Sequence, residues 1–145
     1  MRRTFSFPIK GLSVNNMFYA EKRFGLNADA RIWVDTLCHL LSKPDNAKKM
    51  SELRDTFDPK TQAYAIQIKS YIPKDIYYTK DGKLSRRSFD ITNVEKPLVD
   101  VLFLDKFKVG LLTDDCVLKS CHSVKLPSPD GSWSINVTIK IVSNK

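Results

Sequence analysis

The chain has 145 residues, 42% of them hydrophobic, which predicts a single domain with its own hydrophobic core. Lys and Arg number 24 against 16 Asp and Glu, so the formal net charge is +8. A surface of this sign favours a polyanionic partner, nucleic acid first and an anionic membrane surface second, with an ordinary basic soluble protein as the alternative. No apolar run is long enough for a membrane-spanning helix and the first residues lack the apolar stretch of a signal peptide, so we expect no membrane partner and a cytoplasmic protein.

The first half of the chain predicts one strand, one loop and two helices. The strand lies at residues 5–9, and the loop at 13–19 carries Ser and Asn side chains that are typical of turns. Helical periodicity predicts a helix at 27–41 and a second at 45–56. The predicted apolar faces are Trp33, Leu37, Leu40 and Leu41 in the first helix and Met50, Leu53 and Phe57 in the second.

The second half predicts three strands and one helix. A strand at 61–71 is followed by a basic loop at 77–88, a helix after Asp90, and strands at 117–125 and 133–142. A Pro-Ser-Pro-Asp-Gly turn joins the last two strands, so we expect a C-terminal β-hairpin. The expected fold is α/β of the α+β type: one domain covering all 145 residues, with helices packed on a small mixed sheet.

The three cysteines, Cys38, Cys116 and Cys121, are an odd number in a chain without an export signal, so reduced thiols are expected. Cys116, Cys121 and His122 raise the alternative of zinc. Residues 121 and 122 would point to opposite faces of a strand, and no Cys-x-x-Cys pair is present. Buried, apolar cysteines are the interpretation that this spacing favours.

The helix after Asp90 carries two distinct faces. Its apolar face is formed by Val94, Leu98, Val101 and Leu102, and its polar face by Asn93, Lys96 and Asp100. Thr92 and Glu95 fit a capping box that would begin the helix. Pro97 lacks a backbone donor, so we expect an irregular first turn and a regular helix from about Pro97.

Acidic residues flank this helix on both sides. Asp90 precedes it, and Asp114 and Asp115 follow it beyond a loop at 105–113. If that loop folds back along the helix, the carboxylates meet, and a hard cation such as Mg²⁺ would offset their repulsion. The alternative interpretation is that these residues are a helix cap and solvated loop residues, with Lys96 paired to Asp100 on the helix surface.

Four basic residues lie in the loop before Asp90, around an Asp81-Gly82 turn: Lys80, Lys83, Arg86 and Arg87. Such cations can bind the phosphates on either side of a scissile one. A solvated hairpin tip is the alternative, and the position of the loop next to the acidic segment favours phosphate contact.

Two segments together resemble a known family. Residues 90–100, Asp-Ile-Thr-Asn-Val-Glu-Lys-Pro-Leu-Val-Asp, followed by Leu-Thr-Asp-Asp at 112–115, are similar to the core signature of the RusA-type crossover-junction endodeoxyribonucleases. Residues 13–19, Ser-Val-Asn-Asn-Met-Phe-Tyr, resemble that family's Ser/Asn/Tyr segment. The resemblance covers most of the chain except 42–60 and the loop around Lys106.

The resemblance implies a Mg²⁺-dependent endonuclease, with Mn²⁺ as a possible substitute and no organic cofactor, that resolves four-way (Holliday) DNA junctions during recombination and repair. It implies a homodimer that nicks two opposed strands, in the cytoplasm of a bacterial or phage-infected cell. The implied metal ligands are Asp90 and Asp115 first, with Asp114 and Asp100 as further ligands. Lys96 is the implied catalytic residue that neutralises the charge developing on the phosphate or protonates the leaving oxygen. Asn15 or Asn16 would hold the loop or contact the DNA.

One position leaves the ligand set open. Where many relatives have a second Asp, this chain has Thr92, whose hydroxyl is a poorer ligand for Mg²⁺ than a carboxylate. Thr92 is therefore an uncertain ligand that could act through a bound water. Two alternatives to a junction resolvase stand: a metal nuclease for flaps or other branched DNA, and a structure-selective DNA-binding protein without catalysis.

Overall fold

The computed structural model describes residues 1–12, 28–86 and 91–145, with the backbone alone for 91–93. Within these residues the chain forms four strands and four α-helices, which confirms a mixed α/β fold in one small domain. The elements in chain order are β1 (Arg2–Phe7), α1 (Ala28–Leu41), α2 (Pro44–Thr56), β2 (Gln62–Ile72), α3 (Lys74–Tyr77), α4 (Ile91–Phe103), β3 (Leu118–Pro127) and β4 (Ser134–Ser143). Two short 3₁₀ helices, Asp105–Phe107 and Asp115–Val117, lie between α4 and β3.

The sheet formed by the described residues has the strand order β1-β4-β2-β3. β4 pairs antiparallel with both β1 and β2, whereas β2 and β3 are parallel. A parallel pair needs a crossover connection, and α4 lies in the one that joins β2 to β3.

The predicted C-terminal β-hairpin is wrong, because β2 lies between β3 and β4. Alternating apolar residues identified both strands but carry no information on which strands are neighbours. Residues 128–133 connect β3 to β4 across β2. Because β2 lies between them, β3 and β4 are about 10 Å apart, twice the spacing of adjacent strands. Ser128 donates its backbone N–H to the carbonyl of Ile72 at 2.7 Å, so the connection is fixed to the end of β2.

One face of the sheet is buried under helices. Its inward side chains pack with apolar residues of α1, α2 and α4 in one core, as the alternating patterns predict. The inward residues include Phe5, Phe7, Tyr64, Ile66, Ile68, Ile135, Val137 and Ile139. Leu37, Leu41, Met50 and Leu53 are fully buried, and the predicted face residues Trp33, Leu40 and Phe57 are partly buried against the same core.

An aromatic cluster joins the second helix and the second strand to the end of α4. Tyr64 stacks on Phe57 with ring centroids 4.2 Å apart and meets Phe103 edge-on at 5.8 Å. Burial raises the pKa of Tyr64 to about 12. These contacts fix the C-terminal end of α4 over the beginning of β2.

The structure corrects two expectations about α4. The helix begins at Ile91 and continues past Pro97, so Pro97 lies inside it rather than at the beginning of its regular part, and Thr92 lies in the helix rather than at its cap. Pro97 is buried together with Val94, Leu98 and Val101. The burial of this apolar face offsets the backbone hydrogen bond that Pro97 cannot donate.

The three cysteines are free, as expected, but the expectation that all of them are buried is wrong. Cys38 and Cys121 are partly buried, whereas Cys116 is exposed, because it lies in the 3₁₀ helix before β3 rather than in the strand. Cys121 lies opposite Ile66 on the helix-covered face of the sheet and packs against the core. Burial, and then the nearby Glu95 carboxylate, raise the pKa of Cys121 to about 11. Among the helices of the described residues, none combines the length and the apolarity that a bilayer crossing requires.

Candidate functional site

The loop between α4 and β3 returns to the last turn of α4. Leu111 donates its backbone N–H to the carbonyl of Leu102 at 2.7 Å, and Thr113 donates to the carbonyl of Phe103 at 2.8 Å. The last carbonyls of a helix have no partner within the helix, so the loop supplies the donors that these two need. Arg54 of α2 holds the same loop, since its Nη1 donates to the carbonyl of Gly110 at 2.7 Å.

Gly110 permits this close return. A Cβ atom at Gly110 would lie 2.0 Å from the carbonyl oxygen of Leu102, closer than any side chain could be accommodated without movement of the backbone. Leu112 has a φ of 55°, a left-handed conformation that is costly for a branched side chain. The backbone that delivers Asp114 and Asp115 is therefore held on both sides: by hydrogen bonds to α4 and by Arg54.

Asp114 and Asp115 form an exposed acidic pair at the beginning of the 3₁₀ helix. Asp114 caps that helix, its Oδ1 accepting from the backbone N–H of Cys116 at 2.8 Å. The backbone hydrogen bond from Cys116, and then a side-chain hydrogen bond with Asp115, lower the pKa of Asp114. The pair therefore places a stabilised carboxylate beside a second carboxylate, an arrangement that attracts cations.

Lys96 and Asp100 form the surface ion pair that the sequence offers as the alternative interpretation of these two residues. Lys96 Nζ lies 3.2 Å from Asp100 Oδ1. The Lys96 side chain is 64% exposed and that of Asp100 only 17% exposed, so Asp100 is held against the protein while the ammonium stays accessible. α4 contacts the 3₁₀ helix of the acidic pair, so these groups lie on neighbouring elements.

The described residues do not complete a metal site. Within 1–12, 28–86 and 91–145 there is no group of three or more Asp, Glu, His or Cys side chains that could hold a metal ion. Asp90 lies outside the described residues, and of Thr92 only the backbone is described. Thr113, which directly precedes the acidic pair, is hydrogen-bonded to Phe103 at the end of α4. Ile91, the first residue of α4, lies about 18 Å from Phe103 at 1.5 Å per residue.

The predicted basic loop forms a tight turn at the other end of the sheet. Thr79 donates its N–H to the carbonyl of Lys83 at 2.7 Å, and Gly82 has a φ of 81°, as an Asp-Gly turn requires. Lys80, Lys83 and Arg86 are exposed. Lys83 lies 3.9 Å from Asp81, a weak surface pair.

This turn follows α3, where Tyr77 donates its hydroxyl to the carbonyl of Lys125 near the end of β3 at 3.2 Å. The acidic pair precedes the beginning of β3. The two charged features therefore lie at opposite ends of that strand rather than side by side. The remaining predicted DNA-binding residues, Arg87, Asn15 and Asn16, lie outside the described residues.

Sequence reasoning missed the residues that hold the acidic pair in place. In the sequence, Arg54 is one of several cations of the predicted helix at 45–56, and Gly110 is one residue of the predicted loop at 105–113. A lone glycine in a loop that follows a helix was the available signal, because it permits close approach of two backbones. The backbone that it approaches could not be identified from the sequence.

Comparison of the chain with models of known protein families and with curated proteins gives no match. The resemblance to the RusA-type nucleases therefore rests on the residues quoted for it, and the assignment to that family stays a prediction.

Proposed function

We propose that the chain is a Mg²⁺-dependent endonuclease that acts on four-way DNA junctions. The observation that carries the proposal is the exposed Asp114–Asp115 pair, held by the returning loop at the position where the family-like signature has its Asp-Asp. The net charge of +8 supports a DNA partner.

The donor set fits a hard cation as far as it is described. Asp114 and Asp115 offer adjacent carboxylate oxygens at the surface. A divalent cation bound between two ionised carboxylates would offset the repulsion between their charges. The family-like signature assigns Asp90 as a further ligand, with Asp100 and Thr92 as additional candidates. Binding of one ion by Asp90 together with the acidic pair requires the segment before Ile91 to bridge the length of α4, about 18 Å. When bound, Mg²⁺ would polarise the scissile phosphate and lower the pKa of a water molecule.

Lys96 has the accessibility that a catalytic cation needs. Its ammonium is mostly exposed, and the pair with Asp100 holds it on the face of α4 rather than in the core. A positive charge at this position stabilises negative charge that develops on a phosphate during hydrolysis. The lysine can exchange its contact with Asp100 for a phosphate oxygen, because exposed ion pairs of this kind are weak.

The experiment that tests the proposal is nicking of a labelled, immobile four-way junction, compared with linear duplex and with a flap substrate. Each substrate is incubated with Mg²⁺, with Mn²⁺ or with chelator. We expect paired, metal-dependent nicks in the junction. We expect Asp115→Asn to lower the nicking rate by about 100-fold or more, as loss of a charge-stabilising group does. Asp35→Asn, an exposed carboxylate on α1, is the matched control and should stay within about twofold of the wild type.

The outcomes separate the alternatives. Cuts confined to the flap would replace junction resolution with another branched-DNA nuclease activity. Tight binding of the junction without a cut in either metal would overturn the catalytic proposal and favour a DNA-binding protein without catalysis.

A further inference from the structure

The second face of the sheet has a charge distribution that the metal site does not explain. The four strands contain Lys and Arg but neither Asp nor Glu. The helices cover the inward face, and the opposite face, which we call the open face, carries polar side chains. Strand register places the central side chains of this face, which are polar except for Ala65 and Val124, in three rows: Arg2, Lys140, Ala65 and Ser120; Thr4, Thr138, Gln67 and His122; Ser6, Asn136, Lys69 and Val124.

The open face is accessible to solvent. Arg2, Thr4, Gln67, Lys140 and His122 are all exposed, although Gln67 and Lys140 lie on the two central strands. A polar side chain on a central strand is exposed only where no helix covers that part of the sheet. The face is therefore a broad surface of hydroxyl, amide and basic groups.

Arg2 and Lys140 lie directly opposite each other on β1 and β4. Like charges in directly opposite positions of an antiparallel pair destabilise the sheet. Within the described ranges, none of Arg2, Lys69 and Lys140 forms an ion pair, whereas Arg3, which points to the other face, pairs with Glu52 at 2.7 Å. The open face thus keeps uncompensated positive charge, which an external anion can neutralise.

The chemistry of the face identifies one class of partner. Three cations and several hydroxyl and amide donors match the oxygens of phosphodiesters. A second copy of the chain would bring cations against cations. The rows from Lys140 to Lys69 extend about 13 Å along the strands, enough to meet several phosphates of a duplex, which carries one charge per about 1.7 Å of axis.

The form of nucleic acid follows from the absence of stacking groups. In the four strands the open face has a single aromatic residue, Tyr71, at one end. Single-stranded nucleic acid is bound by large aromatic side chains on which bases stack, and the three rows, of which the first and third are basic, hold no Phe, Tyr or Trp. At the Tyr71 end of the open face, Asp130 of the connection between β3 and β4 lines a pocket with Tyr71 and Asn136. The Asp130 carboxylate accepts hydrogen bonds from Ser128 and Ser132.

From these observations we infer that the open face binds the phosphate backbone of duplex nucleic acid through Arg2, Lys69 and Lys140, without reading its sequence. The inference does not rest on the proposed nuclease activity, because it concerns a different face of the molecule and requires no metal.

The test compares two triple variants with the wild type. The open-face variant is Arg2→Ser, Lys69→Thr and Lys140→Thr, which introduces polar residues already present on these strands and removes the like-charge pair. The matched control, Lys43→Gln, Lys48→Gln and Lys60→Gln, removes the same charge from exposed positions outside the sheet. Thermal unfolding verifies that both variants fold. Binding of a labelled 20-base-pair duplex of arbitrary sequence is measured by fluorescence anisotropy in chelator between 50 and 200 mM salt.

We expect the open-face variant to bind the duplex about tenfold or more weakly than the wild type, with a log–log salt slope reduced by about 2.7, since each lost phosphate contact reduces the slope by about 0.9. The control should stay close to the wild type. Equal losses in the two variants, or an unchanged slope in the open-face variant, would overturn the inference. So would tighter binding of single strands, or of phosphatidylserine vesicles, through the same three residues. Because chelator prevents cleavage, an inactive nuclease leaves this result intact.

Discussion

At the scale of single residues, the position of the acidic pair depends on side chains that carry no catalytic chemistry. Gly110 lets the loop approach the carbonyl of Leu102, and Arg54 donates to the carbonyl of Gly110. These contacts satisfy backbone groups at the end of α4 that would otherwise lack partners. The carboxylates of Asp114 and Asp115 are thus positioned by the backbone of a loop that is fixed to two helices.

This arrangement predicts a marked effect of Gly110→Ala. The added Cβ would overlap the Leu102 carbonyl, so the loop must move away from α4 and lose its hydrogen bonds. We expect the free energy of unfolding, measured by urea denaturation, to fall by about 1–3 kcal/mol, as overpacking typically costs. Gly131→Ala is the comparison, because Gly131 has a φ of 79° but open space around it. A fall of less than about 1 kcal/mol for Gly110→Ala would show that the loop adapts without strain.

At the scale of elements, the sequence predicted the type of most segments and the buried faces, because periodicity directly reports which side chains meet the core. It did not predict that β2 separates β3 from β4, since strand order depends on pairings distant in sequence. In the candidate site, too, contacts between residues close in sequence were predictable and contacts between distant residues were not. The pair of Lys96 with Asp100 is local and was foreseen, whereas the return of 111–113 to α4 is not encoded in any local pattern.

The connection over β2 is stabilised by one carboxylate. Asp130 Oδ1 accepts from Ser132 Oγ at 2.6 Å, from Ser128 Oγ at 2.8 Å and from the Ser132 N–H at 3.0 Å. The side-chain hydrogen bonds from Ser132 and Ser128, together with that backbone bond, lower the pKa of Asp130 to about 2 from an ordinary value of 3.8.

A pH-dependent stability follows from this shift. The pKa of Asp130 is lower in the folded than in the unfolded chain, so the ionised side chain stabilises the fold above about pH 4, and this contribution is lost as the pH falls towards 2. We expect Asp130→Ala to lower the denaturation midpoint at pH 7 and the difference from the wild type to shrink below pH 4. Asp55→Asn, whose carboxylate accepts one long hydrogen bond from Ser51 at 3.4 Å, serves as control. A difference that is constant between pH 7 and pH 2 would contradict the role of the ionised carboxylate.

At the scale of the whole molecule, charge is segregated by structural layer. The strands carry no acidic residue, whereas the acidic residues described above belong to the helices and connections. The described basic and acidic features therefore occupy distinct surfaces: the open face, the basic turn after α3, and the acidic pair before β3. The proposed nuclease uses the acidic pair, and the inferred duplex contact uses the open face. The basic turn, at the other end of β3 from the acidic pair, is a further candidate for contact with DNA.

The proposed symmetric cleavage also makes a prediction about assembly. Two opposed nicks in a two-fold junction need two sites related by a two-fold axis, so we propose a homodimer. The interface elements that the sequence offers as candidates are the apolar strand faces and the helix after Asp90. The structure buries them in the core of the single chain: Val94, Leu98 and Val101 of α4 are buried, and Lys96 is exposed.

The interface must therefore be formed by other surfaces, and a dimer would carry a net charge of 2 × 8 = +16. Repulsion between protomers of this charge is screened by salt, so association should strengthen as ionic strength rises. Light scattering should give a mass of 2 × 16.6 = 33.2 kDa at high salt, with dissociation towards 16.6 kDa at low salt and low concentration. Adding the four-way junction in chelator should restore two protomers per junction even at low salt, because the DNA neutralises the positive charge of both protomers. A mass of 16.6 kDa under all these conditions, with one protomer per junction, would exclude paired nicking by a preformed dimer and leave a nuclease that cuts one strand at a time.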